Sequence, residues 1–292
     1  MRLAYNRQEV PNATLTMRIH SKTRIPLPWA GKLACWLEGM LGRRTVGVIT
    51  IPVKSTQTSY LESWQRPILA LANYPELDTV VRKERTRKPK SLIRMVYSGA
   101  IRPETGLYQY LDLVSQLNSD ANGLHVGLTL VGHVWDSSPN RLNQLISEYG
   151  CTGDVEYLEW VPYEQLQEIY KSSDIALAYA DPDHYKYSLM ESGSSRKIFT
   201  YMAAGLPILA GGAFSKTIEK ESVGLCSAFK DRCKLFENAV LLASDSGLRE
   251  NMSNNGIKAI EQEYNWDKYK KPILEFFDRI TSDNSEYVDK PL

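Results

Sequence analysis

From Leu92 onward the chain alternates between two hydrophobic patterns. Short apolar runs, Leu92–Tyr97, Val126–Val131, Val155–Trp160, Ile175–Tyr179, Leu206–Ala210 and Gly224–Ala228, read as strands buried on both faces. Between them lie segments with apolar residues three and four apart: 106–117, 140–149, 163–172, the stretch that opens at Ser194–Ser195, and 215–220. These read as helices with one buried face. Strands alternating with helices predict an α/β fold, a doubly wound parallel sheet with right-handed crossovers. Three helices, 232–243, 247–264 and 266–280, follow the last strand, and 281–292 reads as a frayed tail.

The first part of the chain is less regular. Residues 1–26 show neither period. Over 27–41, Leu33, Trp36, Leu37, Met40 and Leu41 make a helical face, with Pro28 in the first turn and Arg43 and Arg44 past its end. With Trp29 and Lys32, residues 27–44 fit either a packed amphipathic helix or one lying on a membrane surface. Val46–Ile51 reads as a buried strand. Residues 56–72 read as a helix through Tyr60, Leu61, Trp64 and Ile68, kinked at Pro67, and 73–76 as a turn. The polar, mostly basic run 82–90 contains Pro89 and marks a boundary, so 81–90 is expected to be a linker between 1–80 and 91–280.

Composition narrows the function classes. The 292 residues carry 43% hydrophobic and 24% charged side chains with a formal net charge of +1, which gives no electrostatic reason to expect nucleic acid. Cys35, Cys151, Cys226 and Cys233 have no metal-ligand spacing, and His20, His125, His133 and His184 are scattered, so no metal is implied. No signal peptide or spanning apolar run is visible, and a cytoplasmic protein is the expectation.

The stretch Gly193–Gly211, GSSRKIFTYMAAGLPILAG, concentrates the candidate chemistry. Ser194 and Ser195 suit a helix N-cap. Arg196 and Lys197 follow in the first turn, where the helix dipole disfavours cations. Ile198, Tyr201 and Met202 form the apolar stripe, Gly205 stands at the expected C-terminal cap, and Pro207 stops the helix. Cations and hydroxyls at a helix start suit an anion such as a phosphate, though a packed αβ unit with a solvated basic turn reads equally from the residues. Ligands of doubly wound sheets bind at the carboxyl ends of the strands. There Gly99, Gly132, Gly211 and Gly212 permit close backbone approach, and Arg102, Arg196 and Lys197 add positive charge.

The order strand–SG, strand–LVG, VEYLEWVPYEQL, YKSSDIAL and RKIFTYMAAGLPILA resembles the C-terminal, donor-binding domain of GT-B glycosyltransferases, in particular the family-4, glycogen-synthase-like group (glycosyltransferase group 1). The resemblance covers about 91–280. The WDKY helix is similar to the one that returns to the first domain, and residues 1–80 are similar to part of an N-terminal, acceptor-side lobe about half the usual length. It implies a Rossmann-like lobe that binds a nucleotide-diphosphate sugar as substrate, without a further cofactor. It also implies a glycan, polysaccharide or lipid-linked acceptor and retaining transfer. A peripheral place at the inner face of a membrane would then follow from residues 27–44.

What the resemblance implies for residues is specific. Lys197, Arg196 and Arg102 would neutralise the diphosphate leaving group, the main electrostatic demand of the reaction. Ser194 and Ser195 would bond phosphate oxygens, Thr200 would contact the ribose, Val161 would offer backbone to the base, Glu191 would meet sugar hydroxyls, and His133 would touch the donor beside Gly99 and Gly132. The sequence departs from the family at four points. The usual Arg and Lys after the first strand are Ala100 and Thr105, the ribose-holding Glu is Thr200, and its partner acid is Ser192, with Glu191 one place off. A glycosyltransferase-like protein that binds nucleotide or partner without transfer therefore stays open.

Overall fold

The structure is a computed structural model that describes residues 5–7, 15–19, 23–27, 36–50, 61–80, 92–119, 123–135, 138–183 and 195–282, with side chains from residue 36 onward. Its contacts divide the chain into two compact units, Asn73–Asp267 and Met1–Ala72 joined with Lys268–Leu292. The expected division was 1–80, 81–90 and 91–280; residues 81–90 lie outside the described residues.

In the first unit, strands β1 (Tyr5–Arg7), β4 (Val48–Thr50) and β5 (Ile68–Ala70) form a parallel sheet in the order β1-β4-β5, and β2 (Leu15–Ile19) pairs antiparallel with β3 (Thr23–Leu27). The expected absence of regular structure over 1–26 is thus corrected: strands this short leave too few residues for a period to show. The helix expected over 56–72 is also corrected, because beyond 61–62 the chain turns through Trp64 N–H to Leu61 O and Gln65 N–H to Glu62 O. Gln65 takes a positive φ of 56° and Pro67 leads into β5, so apolar spacing at Trp64 and Ile68 reflects a turn and a strand. Val48, Leu61 and Trp64 are the buried core of this unit. The C-terminal helix α8 (Lys270–Ser282) belongs to it, with Phe276 against Gly47 and the Tyr269 hydroxyl accepting from Ala72 N–H at 2.7 Å. The single helix expected over 266–280 is a 3₁₀ turn, Trp266–Tyr269, followed by α8.

The second unit carries the predicted alternation. Its strands are β6 (Ile93–Ser98), β7 (Val126–Val131), β8 (Val155–Leu158), β9 (Ile175–Ala180), β10 (Ile208–Gly212) and β11 (Gly224–Ser227). They form one all-parallel sheet in the order β11-β10-β9-β6-β7-β8. The helices are α1 (Leu107–Ser119), α2 (Pro139–Glu148), α3 (Tyr163–Ser172), α4 (Arg196–Ala203), α5 (Ser215–Lys220), α6 (Arg232–Ser244) and α7 (Ser246–Gln262). Two apolar clusters result: one joins Leu111, Val114 and Leu142 with alternate sheet residues, the other Ile198, Phe199 and Met202 with Ala176, Ala178 and Ile208. This is the doubly wound order, and the direction of winding reverses between β6 and β9, the point beyond whose carboxyl ends such sheets bind ligands.

Candidate functional site

Two elements meet at that reversal: the loop after β6 and the start of α4. Five residues of α4, Ile198, Phe199, Tyr201, Met202 and Ala203, are almost fully buried, and each large apolar side chain so placed contributes roughly 1.5–3 kcal/mol. The helix ends as expected at Gly205 with φ 61°: its N–H bonds Met202 O at 2.9 Å and Leu206 N–H bonds Tyr201 O at 2.9 Å, a Schellman closure. A helix fixed so firmly along its buried side holds its first turn at one height against the sheet.

Lys197 lies in that turn. Its side chain is half-buried, its Nζ donates to the Tyr97 hydroxyl at 2.9 Å, and it sits 4.1 Å from the centroid of the Tyr97 ring. A Cβ built on Gly99 would lie 3.2 Å from the same Nζ, so the absent side chain of Gly99 opens the space beside the ammonium. Burial lowers the Lys197 pKa, with Tyr201 acting in the opposite sense. Among the described residues no carboxylate pairs with this cation. An ammonium held in such a place with neutral hydroxyls for company is set up to receive an anion.

Gly99 and Gly132 end β6 and β7 in register, both at φ 133°, and a Cβ on Gly132 would collide with the Gly99 carbonyl. Their N–H groups are used: Gly99 N–H bonds Val131 O and Gly132 N–H bonds Leu158 O, each at 2.9 Å. Both glycines therefore shape the rim by leaving space. Beyond them Ile101 N–H bonds His133 O at 2.9 Å and Trp135 N–H bonds Ile101 O at 3.1 Å, joining the two loops. Arg102 packs its guanidinium 4.8 Å from the Trp135 ring centroid, its Nε has no hydrogen-bond partner among the described residues, and its charge acts on Tyr97. His133 is exposed, edge-on to Trp135 and 3.8 Å from the Glu159 carboxylate.

The sequence-predicted residues fall into three groups. Lys197 and Gly99 meet Tyr97, Arg102 acts on it by its charge, Gly132 abuts Gly99, and His133 stands beside Arg102 through Trp135. Ser195, Arg196 and Thr200 share α4 with Lys197 in other settings. Ser195 stands at the N-cap position, as its residue type suggested, but it is buried and makes no side-chain capping bond. Arg196 is exposed, and the Thr200 hydroxyl donates to its own helix at Arg196 O, 3.0 Å away. Val161 stands apart on the loop after β8, half-exposed beside Trp160, whose side chain is 80% exposed. Glu191 and Ser194 lie outside the described residues. Among the described residues there is no cluster of three His, Cys, Asp or Glu side chains that could hold a metal ion.

Sequence reasoning missed Tyr97 and Trp135 as parts of the site. The signal present was the excess of tyrosine, 17 against 6 phenylalanines, and its reason is visible here. Tyr97, Tyr110, Tyr170, Tyr179 and Tyr201 are all fully buried around the upper half of the sheet. The Ser98 hydroxyl meets Tyr170 at 2.6 Å and Tyr201 at 3.2 Å, Ser98 N–H donates to Tyr201 at 2.8 Å, and Tyr179 N–H donates to Tyr110 at 2.8 Å. Burial pushes the pKa of every one of these phenols up.

The fold and the site define a doubly wound αβ protein with a cation at the reversal point of its sheet, and comparison with known proteins adds the family. Residues 81–259 match the family described as Glycosyl transferases group 1. The chain belongs to that family. An uncharacterized glycosyltransferase of Methanocaldococcus jannaschii, MJ1607, is 25% identical over 138 residues, which is 47% of this chain and 33% of the relative. Sucrose-phosphate synthase from Thermosynechococcus elongatus superposes with a TM-score of 0.64 at 15% identity, covering 91% of this chain and 65% of that one. Anabaena Alr3699/HepE, in complex with UDP-glucose, gives 0.60 at 14% identity, covering 89% and 68%. The chain thus spans a third of the curated relative that it matches. The likenesses in structure establish the GT-B fold of the expected α/β class.

Proposed function

We propose that the chain binds a nucleotide-diphosphate sugar at the carboxyl ends of β6 and β9 and serves transfer of the sugar to a glycan or lipid-linked acceptor, with retention at the anomeric carbon. The observation that carries the reading is the half-buried Lys197 ammonium at the reversal point, beside Gly99 and without a carboxylate among the described residues. A diphosphate would supply the missing anion, and the same contact would stabilise it as the leaving group. Arg102 stands near enough to add a second positive charge, and Val161 and the exposed Trp160 border the rim two strands away. Family membership and the UDP-glucose held by the HepE structure support a donor of this class.

The proposed site lies within Asn73–Asp267, and the acceptor would then fall to the first unit. There, Trp36, Leu37, Met40 and Leu41 on the helix over 36–42 are exposed next to Arg43 and Arg44, which supports a peripheral contact with an anionic membrane face; a cytoplasmic place is part of the same proposal. No helix among the described residues is long and apolar enough to cross a membrane. A second reading, nucleotide binding with weak transfer or none, is favoured by Thr200, whose hydroxyl is engaged with Arg196 O where the family's acid would stand.

Calorimetric titration with UDP, GDP, ADP and dTDP tests the reading. At least one nucleoside diphosphate binds the parent, and Lys197→Ala weakens that binding by about 1–3 kcal/mol, the scale of a charge-assisted hydrogen bond. Overlaid isotherms for parent and variant would remove the phosphate from Lys197. Release of free sugar or glycosylated acceptor from the matching donor then separates transfer from binding alone.

A further inference from the structure

Tyr97 touches Lys197 on one side and the loop after β6, at Gly99 and Ala100, on the other. It is 1% exposed, stands next to the last residue of β6, and packs its ring on Tyr110 with centroids 5.3 Å apart. Its hydroxyl accepts from Lys197 Nζ at 2.9 Å and donates to the Ala100 carbonyl at 2.7 Å. That carbonyl also receives the Thr105 hydroxyl at 2.9 Å. Lys197, on α4, is thereby tied to the loop after β6 through one phenol. A lysine in water samples many rotamers; here both the ring face and the hydroxyl hold the ammonium on the Gly99 side. One ammonium proton is directed to Tyr97, and among the described residues the other two have no acceptor, so they can meet a ligand.

We propose that Tyr97 is a positioning residue for Lys197: it holds the ammonium beside Gly99 in the orientation that receives a nucleoside diphosphate, and contributes to affinity only through that lysine. The proposal rests on the donor-site reading above. It requires Tyr97 to be neutral, which its burial favours. Phenylalanine at this position keeps the ring under the cation and removes the hydroxyl alone.

A double-mutant cycle on the full chain, read by calorimetry with UDP and the other three diphosphates, decides the matter. Tyr97→Phe weakens binding about 3- to 10-fold in the parent, the loss of one oriented hydrogen bond, and changes it by less than about twofold in the Lys197→Ala background. Equal losses in both backgrounds mean a general structural role and overturn the proposal, as does an unchanged affinity for Tyr97→Phe in the parent. If the parent binds none of the diphosphates, the donor-site reading fails and this one with it; if Lys197→Ala loses binding and Tyr97→Phe does not, only the role of Tyr97 fails. Should Tyr97→Phe not fold, the parent itself answers by NMR. Lys197 methylene protons shifted upfield by the ring, with and without nucleotide, are the expected result, and lysine shifts typical of an exposed chain would overturn the proposal.

Discussion

At the residue scale, the site is made by what two glycines leave out and by where one lysine is held. Gly132 at φ 133° meets the Gly99 carbonyl so closely that any side chain must move the β6 loop. Gly132→Ala is expected to destabilise the second unit by about 1–3 kcal/mol or more, through the clash with the Gly99 carbonyl added to strain at a backbone conformation that alanine resists, measurable as a lowered urea midpoint. Gly123→Ala, with open space around it, carries only the φ penalty and serves as the control. Lys197 adds a pH signature. Its pKa is lowered by burial, so the charged form is lost below the ordinary lysine value of 10.5. Nucleoside-diphosphate affinity therefore falls as pH rises through that lowered pKa, and Lys197→Ala removes this alkaline limb. A limb that persists in the variant would assign it to another group. Lys197 was legible in the sequence because two cations in a helix's first turn oppose the dipole and call for another reason to be there. Tyr97 was not, since a tyrosine in an apolar strand reads as core, and its contacts with Lys197 join residues a hundred positions apart.

At the element scale, most of the second unit was readable. Long alternation of two periods gave β6 to β11 and the helices between them to within about two residues, the usual fraying of such limits. The glycine cap of α4 and its proline stop were readable for the same reason: each demands one residue type. The helix expected over 56–72 failed because a turn placed Trp64 and Ile68 at helical spacing by chance, with Gln65 at positive φ between them. Strands β1 to β3 are too short for period alone to reveal. The tyrosine layer is also an element-scale device, since it links β6, α1, α3, β9 and α4 through hydroxyls. Its folded-state pKa values lie above the ordinary 10.0, so its stabilisation is complete below that pH and is lost as pH rises beyond it. Absorbance titration at 295 nm should show Tyr97, Tyr110, Tyr170, Tyr179 and Tyr201 ionising only together with loss of the helical circular dichroism signal. Early ionisation of these phenols in a folded chain would contradict the buried network.

At the scale of the whole molecule, two units divide the proposed work. Donor binding is assigned to Asn73–Asp267, and the exposed apolar face of Trp36, Leu37, Met40 and Leu41 belongs to the other unit. Replacing Trp36 and Leu41 together by serine is expected to leave nucleoside-diphosphate affinity unchanged while reducing sedimentation with vesicles rich in anionic lipid by several-fold. Equal sedimentation of parent and variant would remove the membrane role from this helix. The proposed donor site itself asks for less: a diphosphate between Lys197 and the Gly99 loop. The most direct measurement is a crystal structure of the chain with the nucleoside diphosphate that binds tightest. The account predicts a phosphate oxygen about 2.7–3.0 Å from Lys197 Nζ, with Tyr97 still bonded to the same ammonium. A nucleotide bound elsewhere, or one whose phosphates point away from Lys197, would contradict it.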